Sequence, residues 1–189
     1  MNYSFFQELN KENSEKYKIF ISHASADRKL VTAFVELLEG IGIDSEQIFY
    51  SSLSEYGIPL GEDIYEYLRS ELLGNKVYVM FFLSDAYYQS TACLNEMGAA
   101  WILRSDYLTI LQPGFTFREI KGAVNPRKIA LDLNGDCRAS LNNLFEELKK
   151  KFLLRKISYN KWERYRERFM EQLQNGNEDG QRYIQEKDI

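Results

Sequence analysis

The stretch Val77–Ser84, "VYVMFFLS", is apolar without a break up to its closing serine. A short continuous apolar run reads as a strand covered on both faces, as the interior of a parallel sheet requires. The neighbouring segments agree. Upstream, "YKIFIS" (17–22) is a short apolar strand. It is followed by "ADRKLVTAFVELLEGIG", with Leu30, Val31, Phe34, Leu37 and Leu38 at helical spacing. Ser25 is assigned as the N-cap of that helix, and Gly40 and Gly42 as its stop. "QIFYS" is a second strand, and "SLSEYGIPLG" is a loop by its Gly57, Pro59 and Gly61. "EDIYEYLRSELL" is a helix with Ile64, Leu68 and Leu72 on one face, stopped by Gly74-Asn75.

Downstream, Ser84 or Asp85 caps the turn into a helix carrying "QSTACLNEMGAAW" (89–101). "YLTILQP" and "RKIALDL" are the fourth and fifth strands, and "RASLNNLFEELKKKFL" is a helix. Alternating strands and helices give an α/β fold: a parallel sheet with helices on both faces. About five strands is flavodoxin-like in size. Further on, "NKWERYRERFMEQL" sets Trp162, Tyr165, Phe169 and Leu173 on one side. This amphipathic extension is expected to pack back on the domain, in preference to forming a dimer or partner surface. "QNGNEDGQ" reads as a flexible break. The expected organisation is an N-terminal extension (1–16), one α/β domain (17–154) and a C-terminal helix and tail (155–189).

A chain of 189 residues, 44% hydrophobic and 28% charged, suits one soluble domain with some extra length. The net charge of -4 argues against non-specific binding to nucleic acid or an anionic membrane. Glutamates interrupt the basic clusters "KKKFLLRK" and "KWERYRER", so these are expected to be solvated helix faces. The cysteines, Cys93 and Cys137, have no CxxC spacing, and the chain has a single histidine; no zinc site of Cys and His ligands is expected. The N-terminus lacks the pattern of a secretory signal, and no apolar segment approaches membrane-span length. A cytoplasmic protein with reduced thiols is expected.

In open parallel sheets, ligands bind beyond the carboxyl ends of the strands. That selects Ser22, His23, Ala24 and Ser25 after the first strand and Ser51, Ser52 and the loop to Gly61 after the second. It selects Ser84 and Asp85 after the third, with Glu96 on the helix that follows. His23 is either a surface residue at a turn or a side chain at the cleft mouth; position alone does not decide. One histidine beside many serines assembles no Ser-His-Asp set. The loop "SSLSEYGIPLG" has neither a GK[ST] ending nor a GxGxxG fingerprint. Its glycines allow close approach of backbone to a ligand, and its length and its Tyr56 and Ile58 favour a binding or assembly role. Glu96 is the only charge between Asp85 and Arg104. Cys93, Met97, Ala100 and Trp101 are its neighbours on the helix, and Ala92, Gly98, Ala99 and Ala100 permit close packing. Most helical glutamates are solvated and do nothing specific. A carboxylate among such neighbours is partly desolvated unless it faces a cleft, which makes it a candidate site residue.

Taken together, "YKIFISHASADR", "IFYSSLSEYGIPLG" and "VYVMFFLSDAYYQSTACLNEMGAAW" resemble the three boxes of a TIR domain of the bacterial standalone kind, over about residues 17–152. The resemblance implies a flavodoxin-like TIR fold. It implies one of two activities: cleavage of NAD+ between nicotinamide and ribose, or non-catalytic assembly with further TIR domains. Glu96 falls on the glutamate used by the enzymatic branch. Many of those enzymes carry a tryptophan four residues earlier, where this chain has Ala92. His23 and Ala24 map onto residues lining the nucleotide site, next to Ser22; an arginine common there is missing. The second-box loop, with Ser52, Gly57 and Ile58, would cover the nucleotide or contact the next protomer, and Cys93 matches the cysteine kept ahead of the glutamate.

The resemblance therefore implies NAD+ as substrate with no separate cofactor and no metal, and TIR–TIR self-assembly. It also implies a possible separate effector protein that senses an ADP-ribose-derived product, cyclic or conjugated, in antiphage defence. Neither nucleic acid nor membrane is an expected partner. The alternative is a scaffold acting by TIR–TIR assembly alone. A phosphoacceptor receiver shares the fold but needs acidic residues at the end of the first strand, where Ser22-His23 stand.

Overall fold

The computed structural model describes residues 17–50, 64–154 and 157–187. Five parallel strands form one sheet in the order β2-β1-β3-β4-β5. They are β1 (Lys18–Ser22), β2 (Ile48–Tyr50), β3 (Val77–Leu83), β4 (Asp106–Leu111) and β5 (Leu131–Asp132). The helices are α1 (Arg28–Gly40), α2 (Ile64–Gly74), α3 (Asp85–Gln89), α4 (Thr91–Ile102), α5 (Arg138–Lys151) and α6 (Tyr159–Lys187).

The unbroken apolar run of β3 has a simple cause. Side chains alternate across a strand, so each face takes every second residue. Tyr78, Met80 and Phe82 enter one core, with Phe34 and Leu38 of α1, Leu141 and Leu148 of α5, and Phe169 of α6. Val77, Val79, Phe81 and Leu83 enter the other, with Tyr87 of α3 and Cys93 and Met97 of α4. Both faces are covered, so every position on the strand takes an apolar or aromatic side chain.

The same parity places Ser22. Phe20 belongs to the α3–α4 core, and Ser22 lies two residues on, at the last position of β1 and fully buried. The strand order reverses direction between β1 and β3: the chain goes out to β2 on one side and returns to β3 on the other. The carboxyl ends of these two strands frame the crevice where open α/β sheets place their ligands.

Helix boundaries differ from expectation in two places. Ser25 is exposed and lies in a 3-10 turn, while Asp27 precedes α1; neither side chain caps the helix. Asp27 is engaged elsewhere, accepting from Ser84 Oγ at 2.7 Å. At the other end of the chain, α6 runs through "QNGNEDGQ" to Lys187 instead of breaking there. The segment has no proline, and single glycines inside a helix cost only about 1 kcal/mol each. On α2, Leu72 packs against the second core; the side chains of Ile64 and Leu68 lie outside the described residues.

α6 docks on α1 and α5. Trp162, Phe169, Met170 and Leu173 are buried. Trp162 stacks on Phe145, with centroids 4.4 Å apart and planes 6° apart, and its indole donates to Asn142 at 2.8 Å. Arg138 of α5 forks onto Glu167. Within the basic cluster, Arg166 is buried instead of solvated: it donates to Asn142 at 2.7 Å and to Glu167 at 2.9 Å. No described helix is long and apolar enough to cross a membrane.

Candidate active site at the ends of the first and third strands

Two serines position the helices that border the crevice. Ser84, directly after β3, accepts from the Tyr87 backbone N–H at 3.0 Å and so caps α3. Its hydroxyl also donates to Asp27, tying the segment after β3 to the segment after β1. Ser90 accepts from the Cys93 N–H at 3.3 Å and caps α4. Each satisfies a backbone donor at a helix start that has no partner within the helix.

α4 buries Cys93, Glu96, Met97 and Ala100. These residues share one helical face, the face towards the sheet. Glu96 therefore stands in the apolar stripe, where a hydrophobic residue would ordinarily sit. It is 6% exposed. The Ser22 hydroxyl donates to Glu96 Oε2 at 2.5 Å, the short length characteristic of an O–H···O⁻ bond. Ser22 Oγ also lies 2.9 Å from the Tyr87 hydroxyl oxygen, which lies 3.0 Å from the Cys93 carbonyl oxygen.

His23 is buried, 2% exposed, and is not a surface residue at a turn. Its Nδ1 is 3.5 Å from the Ile21 carbonyl, and its ring lies 5.6 Å from the ring of Tyr50. Burial lowers its pKa below the ordinary imidazole value, against smaller opposing effects of that carbonyl and of Asp27. Ala24 is also buried, and its carbonyl accepts from Asp27 N–H at 2.9 Å. Burial pushes the Cys93 thiol up to about 11, with Ser90 pulling the other way and Glu96 adding to the rise.

The structure thus gathers Ser22, His23, Ala24, Cys93 and Glu96 around the carboxyl end of β1. Ser52, Gly57 and Ile58, with the rest of the second-box loop, lie outside the described residues. Two residues expected to adjoin Glu96 or to let α4 pack closely lie off its buried face. Trp101 is 64% exposed, and Ala92 is exposed on the outer side of α4. Among the described residues, a Cβ added at Gly98 would meet nothing within 4 Å. Close packing of α4 rests on Cys93, Met97 and Ala100, not on the small residues at 92 and 98.

Tyr87 is a residue of this cluster that no sequence motif singles out. It sits in "SDAYYQ", just past the carboxyl end of β3, so the rule that selected Ser84 and Asp85 reaches it within one further turn.

A five-stranded parallel sheet in this order, covered by helices on both faces, defines an α/β protein of the flavodoxin-like class. A family model described as TIR domain matches residues 19–148, and the chain belongs to that family. The chain is also 43% identical over 169 residues to a Bacillus subtilis (strain 168) protein, "Uncharacterized protein YddK". That match takes in 89% of this chain and 61% of the Bacillus protein, so the chain spans about three fifths of its relative's length.

Proposed function

We propose that this TIR domain cleaves NAD+ at the bond between nicotinamide and ribose, with Glu96 as the catalytic carboxylate. One observation carries the reading: a carboxylate 6% exposed, hydrogen-bonded by Ser22, at the strand ends where this fold class takes ligands. Burial of an acid is costly unless it is paired or used. Nicotinamide leaves as a neutral base, so the reaction needs no strong general acid. Its departure leaves positive charge on the ribose. A fixed carboxylate stabilises that charge and can hold the ribose hydroxyls, as in glycoside hydrolysis. Water, or an internal nucleophile in the case of cyclisation, then completes the reaction on the ribose carbon.

Ser22, His23 and Ala24 line the nucleotide side of the pocket in this reading, with Cys93 behind Glu96 and Ser52, Gly57 and Ile58 on the covering loop. No cofactor is required. Assembly of TIR domains completes the active form, and an ADP-ribose-derived product serves as a signal, read by a separate effector protein, in antiphage defence. That cellular role rests on the family resemblance.

The test is nicotinamide release from NAD+ by purified protein across a range of protein concentrations, with mass spectrometry of the products. Glu96→Gln keeps size and hydrogen-bonding capacity but loses the charge, and kcat is expected to fall about 10²–10³-fold, the scale of a lost electrostatic contact to the transition state. Circular dichroism and melting of the variant report that the fold persists. Full activity in Glu96→Gln removes the assigned role. Absence of turnover in wild-type protein at every concentration favours a scaffold.

A further inference from the structure

Three contacts link the Cys93 carbonyl, Tyr87, Ser22 and Glu96, and with Glu96 ionised only two hydroxyl protons are available to fill them. Tyr87 Oη lies 3.0 Å from the Cys93 carbonyl and 2.9 Å from Ser22 Oγ, which lies 2.5 Å from Glu96 Oε2. Each hydroxyl has a single proton to donate. With Glu96 ionised, Ser22 donates to it, and Tyr87 must turn to Ser22 for their contact to be attractive. The Cys93 carbonyl then loses the Tyr87 proton. With one proton taken up from solvent, the order reverses: Glu96 donates to Ser22, Ser22 to Tyr87, and Tyr87 to the Cys93 carbonyl.

We propose that Tyr87 and Ser22 are positioning residues for Glu96, forming a hydroxyl chain that fixes Oε2 and reverses direction when the carboxylate takes up a proton. The proposal rests on the reading of Glu96 as the catalytic carboxylate. Among the described residues, the ionisable groups close to Glu96 are the Tyr87 phenol from α3 and the Cys93 thiol from α4; His23 follows Ser22 on the β1 side, and Asp27 reaches Cys93. Burial raises the phenol well above its ordinary range and the thiol to about 11, so both stay neutral while a carboxylate titrates.

The two directions of the chain are unequal. Bonds to an ionised acceptor are roughly twice as strong as neutral ones, and a hydroxyl polarised by a second donor is a better donor itself. Loss of the Tyr87 hydroxyl therefore weakens the ionised state more than the protonated one. The Glu96 titration moves to higher pH, and at a fixed pH fewer molecules hold the active carboxylate.

The experiment is the pH dependence of kcat for nicotinamide release in wild type, Tyr87→Phe and Ser22→Ala. Beside it runs the ¹³C NMR titration of glutamate-carboxyl-labelled protein, with Glu96→Gln identifying the Glu96 signal. Both variants are expected to move the acidic limb and the NMR midpoint upward by roughly 0.5–1 pH unit. On that acidic limb they are expected to lower kcat roughly three- to tenfold at a fixed pH, with KM little changed in Tyr87→Phe. A lower melting temperature with unmoved midpoints makes these residues merely structural and overturns the proposal. Unchanged titration of Glu96 in both variants overturns it as well. If wild-type protein releases no nicotinamide, the functional reading fails, and the NMR titration still decides the chain. Should Tyr87→Phe not fold, an unmoved Glu96 midpoint in Ser22→Ala overturns the proposal.

Discussion

Cys93 precedes Glu96 by one helical turn, and its chemistry follows from its setting. It is 3% exposed, and burial holds its thiol near 11, far from the thiolate a nucleophile needs. Cys137 is equally enclosed, with Sγ 3.1 Å from Met170 Sδ, and burial raises it too. In native protein at pH 8, an aromatic disulfide reagent is expected to label neither thiol within minutes, and both within the mixing time once denaturant unfolds the chain. Rapid native labelling of one equivalent contradicts this picture of Cys93 as wall material. The single residue that decides the site, Glu96, was visible in the sequence as a lone charge. Its meaning was not, because a helical glutamate in solvent and one in the buried stripe differ only in which face meets the sheet. Its position three residues after Cys93 and one before Met97 was the available signal.

Among the elements, α6 shows how far pattern carries. Trp162, Phe169 and Leu173 were legible as one apolar side because helical spacing brings them together. Arg166 was not, because its burial depends on Asn142 and Glu167 lying where the guanidinium can reach them. α6 packs closely on α1 at Gly40, the last residue of α1. A Cβ there would lie 2.4 Å from the ring of Tyr165. An alanine in a helix ordinarily gains on glycine through backbone entropy. Here Gly40→Ala is expected instead to destabilise by about 1–3 kcal/mol, the range for overpacking. Urea denaturation reads the change. Adding Tyr165→Ala to Gly40→Ala should remove most of that penalty, and a strictly additive cycle would dissociate the two residues. Gly42 terminates α1 by a different device: its φ of 96° suits a residue without a side chain, and Ile43 N–H then bonds back to the Leu38 carbonyl at 3.2 Å.

Over the whole molecule, the sheet order was legible only as a class. Alternation of strands and helices predicts a parallel sheet, but the order β2-β1-β3-β4-β5 is set by which helix covers which face, information spread over the entire chain. Covering both faces leaves aromatic hydroxyls deep inside. Tyr78 is 1% exposed and donates to Glu147 at 2.7 Å; Tyr87 is fully buried. Burial is the largest cause of the raised phenol pKa in both. The folded values lie above the unfolded one, near 10. Below that pH neither state releases these protons and the fold loses nothing. As pH rises through it, the unfolded chain ionises while the folded chain does not, so stability falls. Melting temperature is expected to drop steeply between about pH 10 and 11.5, with phenolate absorbance from these two rings appearing only on unfolding. Tyr78→Phe should flatten the alkaline loss, and an unchanged slope would assign the loss to other groups.

The solitary histidine has a practical consequence. His23 is the chain's only imidazole, and it is buried at the end of β1 beside Ser22. Its ring protons therefore form a single pair of lines in the proton spectrum of the intact protein. Any molecule binding beyond the carboxyl ends of β1 and β3 would be announced by those two lines alone, without assignment, labelling or mutation.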